Sequence, residues 1–97
     1  MDVQKLVGWN VSRLRIRMHL TQADLAKSSR ILDQPYISGL ENGKRNPTAT
    51  ILMLLADSLG VQVGELFSIH GAPADLALGN VEIKSRRSRN ANHRVPR

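Results

Sequence analysis

The polar residues of this chain offer little for catalysis. Serine, histidine and aspartate all occur, but no spacing places a nucleophile beside a base, and neither a glycine-rich phosphate loop nor a metal-binding cluster is present. We therefore expect no enzyme, no metal site and no cofactor. The chemistry that remains is non-covalent recognition, for which the candidates are a polar group, Asp33-Gln34-Pro35, and a basic pair, Lys44-Arg45.

Basic charge is concentrated at the carboxyl end of the sequence. The 97 residues carry a net charge of +6, yet eight Lys and Arg balance eight Asp and Glu over residues 1–83. The excess lies wholly in residues 84–97, KSRRSRNANHRVPR, where apolar side chains are few. This composition predicts a disordered tail. Two roles remain open for it, a solubilising tail or an arm that binds phosphates.

Length and hydropathy predict one small domain with one modest core. No apolar run is long enough to span a bilayer, and the segment MDVQKLVGWN has neither the apolar stretch nor the small residues of a signal peptide. The chain contains no cysteine, which agrees with a reducing compartment. We expect no membrane partner and a cytoplasmic location.

Helical spacing and capping residues predict the first two elements. A helix from Val3 to Met18 is indicated by apolar residues at steps of four, three and four, namely Val7, Val11, Leu14 and Met18. Asp2 is a candidate cap for this helix. Thr21 is suited to cap a second helix, QADLAKS, and Asp24 places an acid in its first turn, where the helix dipole favours negative charge.

The third predicted helix begins with a proline. Asp33 is suited to the N-cap, which places Gln34 and Pro35 in the first turn. Proline is tolerated there because the N–H groups of that turn have no intrahelical partner. Gly43 provides a left-handed stop after the apolar residues Tyr36, Ile37 and Leu40.

The remaining pattern predicts two more helices and one ambiguous segment. Thr48 can cap a fourth helix that ends at Gly60 and has an apolar stripe of Ile51, Leu52, Leu55, Ala56 and Leu59. The stretch VGELF predicts a short fifth helix that brings Leu66 and Phe67 to the core. Residues 72–83 fit either a short helix that begins near the proline or a small hairpin around the Gly-Asn pair.

A known family has the same order and spacing of the stretches LTQADLAKSS, DQPYISGLENGKRNPT, ILMLLADSLGV and ELF. Over roughly residues 6–67 the chain strongly resembles the Cro/repressor-type helix-turn-helix domain, also called the XRE family. The most telling points are Thr21-Gln22, Leu25-Ala26, Ile37-Ser38, Leu40-Glu41, Gly43 and Asn46-Pro47. The resemblance implies an all-α, compact five-helix, lambda-repressor-like DNA-binding domain.

The sequence departs from the family pattern between the second and third helices. This segment is one residue longer than usual, and the glycine common in the turn is missing, with Arg30 nearby. The register of the recognition helix is therefore open by one residue.

The resemblance places the first turns of the third helix against the edges of bases in the major groove. Gln34 can present an acceptor and a donor to one adenine, a pairing that contributes roughly 1–3 kcal/mol of discrimination. Pro35 offers an apolar face to a thymine methyl group. Ser38 can contact a base or a phosphate, and Gly39 allows close approach of the backbone. The alternative for Gln34 and Ser38 is that both are simply solvated.

Further residues are expected along the DNA backbone. Gln22 and the free N–H groups at the start of the second helix resemble the phosphate clamp of the family. Tyr36 is expected to pack its ring in the core, and its hydroxyl is a candidate phosphate contact. The residues that follow the recognition helix, and should lie along one strand, are Asn42, Lys44, Arg45 and Asn46. For the two cations, the alternative is an ordinary charged loop.

Arg15 and Glu41 occupy positions where the family often has a buried ion pair. Arg15 lies beside the apolar stripe of the first helix, and Glu41 lies near the end of the third. An arginine can hold a carboxylate through two hydrogen bonds, which would fix one helix relative to the other.

The function implied by the resemblance is sequence-specific, double-stranded DNA binding by a transcriptional regulator. We expect a repressor that binds a partly palindromic operator as a homodimer. The predicted organisation is a helix-turn-helix domain over residues 1–67, a short extension and dimerisation element over 68–83, and the basic tail over 84–97. The alternatives are a helical protein-interaction adaptor, an antitoxin, or a restriction–modification controller that uses the same domain. The sequence identifies no further protein partner.

Overall fold

The computed structural model describes residues 1–83, so the predicted basic tail lies outside the described residues. The described part contains helices and no strand. In chain order these are α1 (Val3–Arg17), α2 (Gln22–Ser29), α3 (Gln34–Glu41), α4 (Ala49–Leu59), a 3₁₀ helix (Val63–Phe67) and α5 (Ala74–Ala77). The prediction of an all-α, five-helix domain is confirmed, with the 3₁₀ helix as the fifth predicted helix, and α5 lies in the extension that follows it.

Four helices begin at a residue whose side chain caps the helix, and all four capping residues were predicted. In each case an oxygen of the capping side chain accepts a hydrogen bond from the backbone N–H three residues later, which satisfies one of the free donors of the first turn. The capping residues are Asp2, Thr21, Asp33 and Thr48. These local bonds fix where α2 and α3 start, and therefore which residues occupy their exposed ends.

The core lies where α1, α3, α4 and the 3₁₀ helix meet, and α2 covers it against α3 and α4. Its buried members are Val7, Val11, Leu14, Leu25, Ala26, Ile37, Leu40, Leu55, Ala56, Leu59 and Leu66. Helices α1 and α3 lie close together at Gly8, where an added Cβ would collide with the carbonyl oxygen of Leu40. The absence of a side chain at Gly8 thus allows α1 to pack directly against α3.

Two residues predicted in the core are on the surface. Met18 is 45% exposed because α1 ends at Arg17 and the chain turns away. Phe67 is 42% exposed, whereas its neighbour Leu66 is fully buried. A 3₁₀ helix has three residues per turn, so adjacent side chains point in different directions and only one of them can face the core.

The helix ends depend on left-handed residues. Gly43 and Gly60 have φ values of +73° and +69°, as expected of the stops after α3 and α4. Two non-glycine residues adopt the same conformation: His19 after α1, with φ of 59°, and Arg30 after α2, with φ of 72°. Arg30 therefore takes the conformation that a glycine would adopt more easily, at the turn where the family glycine is missing.

Residues 72–83 contain a short helix, which was one of the two predicted possibilities, and no hairpin. Helix α5 packs against α1, and its buried residues are Leu76 and Ala77. The chain beyond it pairs with the first residue, since the Met1 amino group donates to the Asn80 carbonyl at 2.7 Å and the Glu82 N–H donates to the Met1 carbonyl at 2.9 Å. None of the helices within residues 1–83 combines the length and the apolar character needed to cross a bilayer.

Candidate DNA-binding surface

An ion pair joins the first and third helices. Arg15 Nε donates to Glu41 Oε2 at 2.6 Å, and Arg15 Nη2 donates to Glu41 Oε1 at 2.9 Å. The side chains are only 13% and 7% exposed. The third guanidinium nitrogen, Nη1, donates to the Leu20 carbonyl at 2.8 Å, so Arg15 also holds the turn before α2. The hydrogen bond to Glu41 raises the pKa of Arg15 above its ordinary value, and Arg15 is a cation at every physiological pH.

Hydrogen bonds lead from the same carboxylate to the surface through two glutamines. Gln22 Nε2 donates to Glu41 Oε1 at 3.0 Å, and Gln34 Nε2 donates to Gln22 Oε1 at 2.7 Å. Gln22 is half-buried at the start of α2, and Gln34 is exposed at the start of α3. The amino ends of the two helices are thereby joined side chain to side chain.

The first turns of α3 present the residues predicted to contact bases. Gln34 and Pro35 are exposed immediately after the Asp33 cap, while Ser38 and Gly39 are half-buried on the following turn. The Asp33 cap and Pro35 together make the start of α3 rigid. The cap bonds a first-turn N–H, and proline fixes its own φ in the helical range.

The loop after α3 is closed by main-chain bonds. The Gly43 N–H donates to the Leu40 carbonyl at 3.0 Å and the Lys44 N–H donates to the Gly39 carbonyl at 2.9 Å, the pair of bonds of a Schellman motif. Helix α1 supports the loop through Gln4, whose Nε2 donates to the Gly43 carbonyl at 3.3 Å. The exposed side chains that this loop presents are Asn42, Lys44, Arg45 and Asn46.

Arg45 lies across the outer face of α3. Its guanidinium carbon is 5.2 Å from the centroid of the Tyr36 ring, and a Cβ built on Gly39 would lie 3.3 Å from Arg45 Nε. The space beside Gly39, which we expected to allow a close approach to DNA, therefore accommodates this side chain. Tyr36 packs partly against the core; burial raises the pKa of its phenol, and the Arg45 cation opposes part of that shift.

Three of these contacts had no signal in the sequence. Gln22 and Gln34 are 12 residues apart, Gln22 and Glu41 are 19 apart, and Gln4 is 39 residues from Gly43. Each contact depends on the angle between two helices, which no local spacing reveals. Residues 1–83 contain no grouping of His, Asp and Glu that could hold a metal ion.

Two short helices joined by a tight turn, the second with an exposed polar end beside a cationic loop, define a helix-turn-helix DNA-binding protein. A family model described as Helix-turn-helix, HTH_3, matches residues 11–66. The chain belongs to this XRE-type family of DNA-binding transcriptional regulators.

Named relatives support this assignment. The chain is 48% identical over 66 residues to the uncharacterized HTH-type transcriptional regulator y4dJ of Sinorhizobium fredii. The aligned part covers 68% of this chain and 84% of that protein. It is 34% identical over 71 residues to the control protein C.SmaI of Serratia marcescens, covering 73% and 83% of the two chains.

A solved structure has a similar fold. The restriction-modification controller protein C.AhdI of Aeromonas hydrophila superposes with a TM-score of 0.63 at 36% identity, over 68% of this chain and 93% of that one. The matched part thus spans most of a protein that is described as a controller.

Proposed function

We propose that the protein is a sequence-specific repressor that binds a partly palindromic operator as a homodimer. The observation that carries this proposal is the bonded pair Gln22–Gln34, which holds a polar, exposed side chain at the tip of α3. A recognition helix enters the major groove with its amino-terminal residues first, so this is the position from which base edges are read.

The proposed base contacts come from the exposed residues of the first turn of α3 and from the turn that follows. Gln34 pairs with adenine, Pro35 packs against a thymine methyl group and Ser38 reaches a base or a phosphate. Gly39 contributes by leaving room for Arg45, and DNA that displaced this side chain would reach the Gly39 backbone.

The proposed backbone contacts surround these residues. Gln22 keeps one amide N–H for a phosphate after its bond to Glu41, and the first-turn N–H groups of α2 add the positive end of the helix dipole. The phenol of Tyr36 and the loop residues Asn42, Lys44, Arg45 and Asn46 are assigned to the phosphates of one strand. The main-chain bonds of the loop support this role because they fix the loop before DNA arrives.

Dimerisation is proposed through the 3₁₀ helix and the extension over residues 68–83. A single recognition helix reads few base pairs, and two of them, one helical turn apart, multiply the discrimination. The part of the chain after the core presents several exposed large apolar side chains, namely Phe67, Ile69, Leu78, Val81 and Ile83. This supports the division into a DNA-binding domain (1–67), a dimerisation extension (68–83) and a basic tail (84–97).

Control of a restriction–modification operon is a second candidate for the biological setting. It is favoured by the similarity to C.AhdI and to the control protein C.SmaI, at 36% and 34% identity. We propose a cytoplasmic location in both settings, since the operator is accessible there. A reporter fused to the promoter of the neighbouring operon separates repression from activation.

Selection of binding sites from a pool of random duplexes tests the main proposal. We expect two inverted half-sites whose centres are about 10 base pairs, or a multiple of one helical turn, apart. Binding should weaken steeply with salt, since phosphate contacts release counterions. An adaptor would select no sequence, and that result would contradict the proposal.

Sedimentation equilibrium at tens of micromolar protein tests the dimer. We expect Leu78→Glu, at a position 65% exposed in the extension, to shift the equilibrium towards the monomer. The matched control is Ile31→Glu, at a position 70% exposed but outside the proposed interface, which should leave the dimer intact. A wild-type monomer that binds a full site one-to-one would argue against this assembly.

A further inference from the structure

A continuous chain of hydrogen bonds leads from the interior of the protein to the proposed recognition residue. We call the three side chains Glu41, Gln22 and Gln34 the relay. We infer that Glu41 sets the direction in which the amide of Gln34 faces the DNA, and that it is thereby a positioning residue for sequence specificity. This inference rests on the proposed base contact of Gln34.

The direction of the relay is imposed by the carboxylate. An ionised carboxylate only accepts hydrogen bonds, whereas a glutamine amide accepts at one end and donates at the other. Both oxygens of Glu41 accept hydrogen bonds from Arg15, and Oε1 accepts a further one from Gln22. Gln22 must consequently turn its NH₂ group towards Glu41, which leaves its oxygen directed to α3.

The second glutamine inherits this direction. Because Gln22 Oε1 can only accept, Gln34 must turn its own NH₂ group towards it, as the 2.7 Å bond shows. One N–H of Gln34 is used in this bond. The second N–H and the Oε1 of Gln34 remain for a ligand, and their relative placement is fixed.

A fixed donor and acceptor distinguish adenine from guanine. In the major groove adenine presents an acceptor, N7, beside a donor, the N6 amino group, and a glutamine amide matches both. Guanine presents two acceptors, N7 and O6, so the Gln34 oxygen would face a like partner. An amide that is free to rotate can turn its NH₂ group towards either base, and it loses part of this discrimination.

Burial makes Glu41 an effective anchor for the relay. Its side chain is 7% exposed, so water has little access to compete for the carboxylate oxygens. Arg15 holds the carboxylate in place, and it forms no hydrogen bond of its own with Gln22 or Gln34. Loss of Arg15 and loss of the Glu41 charge should therefore both disturb the relay, whereas a core truncation away from it should weaken the fold alone.

Binding of the full chain to duplexes that differ only at the base pair assigned to Gln34 tests this difference. That base pair is first identified as the position where Gln34→Ala removes the preference. We expect Glu41→Gln and Gln22→Met each to reduce the preference for adenine over guanine there by about tenfold, within the range of one bidentate contact. The matched control, Leu59→Ala, truncates a buried side chain of α4 outside the relay and should keep this preference within about twofold although it also destabilises the domain.

A second measurement uses the free protein. In ¹⁵N spectra the hydrogen-bonded side-chain amide proton of Gln34 should differ in shift from the corresponding proton of the exposed Gln62, and in Glu41→Gln it should move towards the Gln62 value. Gln22→Met should have the same effect without touching the ion pair, so it decides the question if Glu41→Gln does not fold.

The possible outcomes separate the inference from the proposed function. An unchanged adenine preference in Glu41→Gln and Gln22→Met, or an equal loss in Leu59→Ala, would overturn the relay while Gln34 kept its role as a base contact. A Gln34→Ala variant with the wild-type sequence profile would instead refute the base contact, and the inference with it.

Discussion

Arg15 and Glu41 are 26 residues apart in the chain, yet two hydrogen bonds of 2.6 and 2.9 Å join the guanidinium of one to the carboxylate of the other. Both side chains lie at the edge of the core, with exposed fractions of 13% and 7%. The pair connects α1, which packs on the core, to α3, which carries the proposed base contacts. It also supplies the carboxylate to which Gln22 bonds.

Removal of one partner of this pair should strongly destabilise the domain. Glu41→Gln leaves a largely buried cation without its counterion, at a cost of about 3 kcal/mol. A double-mutant cycle with Arg15→Met and urea unfolding should give a coupling energy above about 0.5 kcal/mol. The control is the pair Arg13–Glu65, which is 3.8 Å apart and half-exposed, and for which we expect about 1 kcal/mol or less. Similar coupling in both pairs would contradict a special role for Arg15 and Glu41.

A glycine at the left-handed position between α2 and α3 should increase the stability of the protein. Arg30 is exposed with φ of 72°, a conformation that is unfavourable for a residue with a Cβ. Arg30→Gly should therefore stabilise the protein by up to about 1 kcal/mol. The reciprocal change, Gly60→Ala, meets no atom within 4 Å but has φ of 69°, so it should cost about 1 kcal/mol through backbone strain alone. Thermal unfolding of both variants checks the two signs, and a loss of stability in Arg30→Gly would show that its side chain contributes more than the strain costs.

The capping box of α2 should contribute to acid sensitivity. Hydrogen bonds from Thr21 hold the pKa of the Asp24 carboxyl below its ordinary value of 3.8. The folded state thus binds this proton less tightly than the unfolded state, so the stabilisation is complete above that pH and is lost as the pH falls through the lowered value. Urea unfolding from neutral pH to below 3.8 should show a smaller acid loss in Asp24→Asn than in the wild type. The same measurement on Asp57→Asn, which removes an exposed carboxylate from α4, provides the comparison.

Gln34 and Lys44 should affect DNA binding in different ways. Gln34→Ala is expected to relax base preference at one position of each half-site, at about 1–3 kcal/mol per contact. Lys44→Ala removes a proposed phosphate contact and should weaken binding to all sequences alike. Fluorescence anisotropy with a panel of single-substitution duplexes distinguishes these profiles. Identical profiles for the two variants would mean that the roles are wrongly assigned.

Deletion of residues 84–97 tests the role of the six cations that lie outside the described residues. The described domain should fold without them, while DNA affinity should fall. Each phosphate that the segment neutralises adds about 0.9 to the slope of log K against log salt, so the slope should flatten. Titrations at several salt concentrations provide the measurement, and an unchanged slope would favour the solubilising role.

Much of this fold could be predicted from the sequence because its signals are local. An N-cap such as Asp33 bonds to a residue three positions later, and a stop such as Gly43 depends on its own backbone angle. The apolar periodicity also identified most of the core. It failed at Met18 and Phe67, where the helix end and the tighter 3₁₀ geometry, rather than the periodicity, decide which side chain faces inward.

The candidate site divides in the same way. By itself, the sequence determined which side chains occupy the start of α3 and the loop behind it, and its resemblance to a family indicated what such an arrangement does. Only the tertiary structure decided that Gln34 bonds to Gln22, that Gln22 bonds to the carboxylate that pairs with Arg15, and that Arg45 lies over Tyr36. The reason is physical: these contacts join residues on different helices, and their existence depends on helix positions set by packing of the whole core.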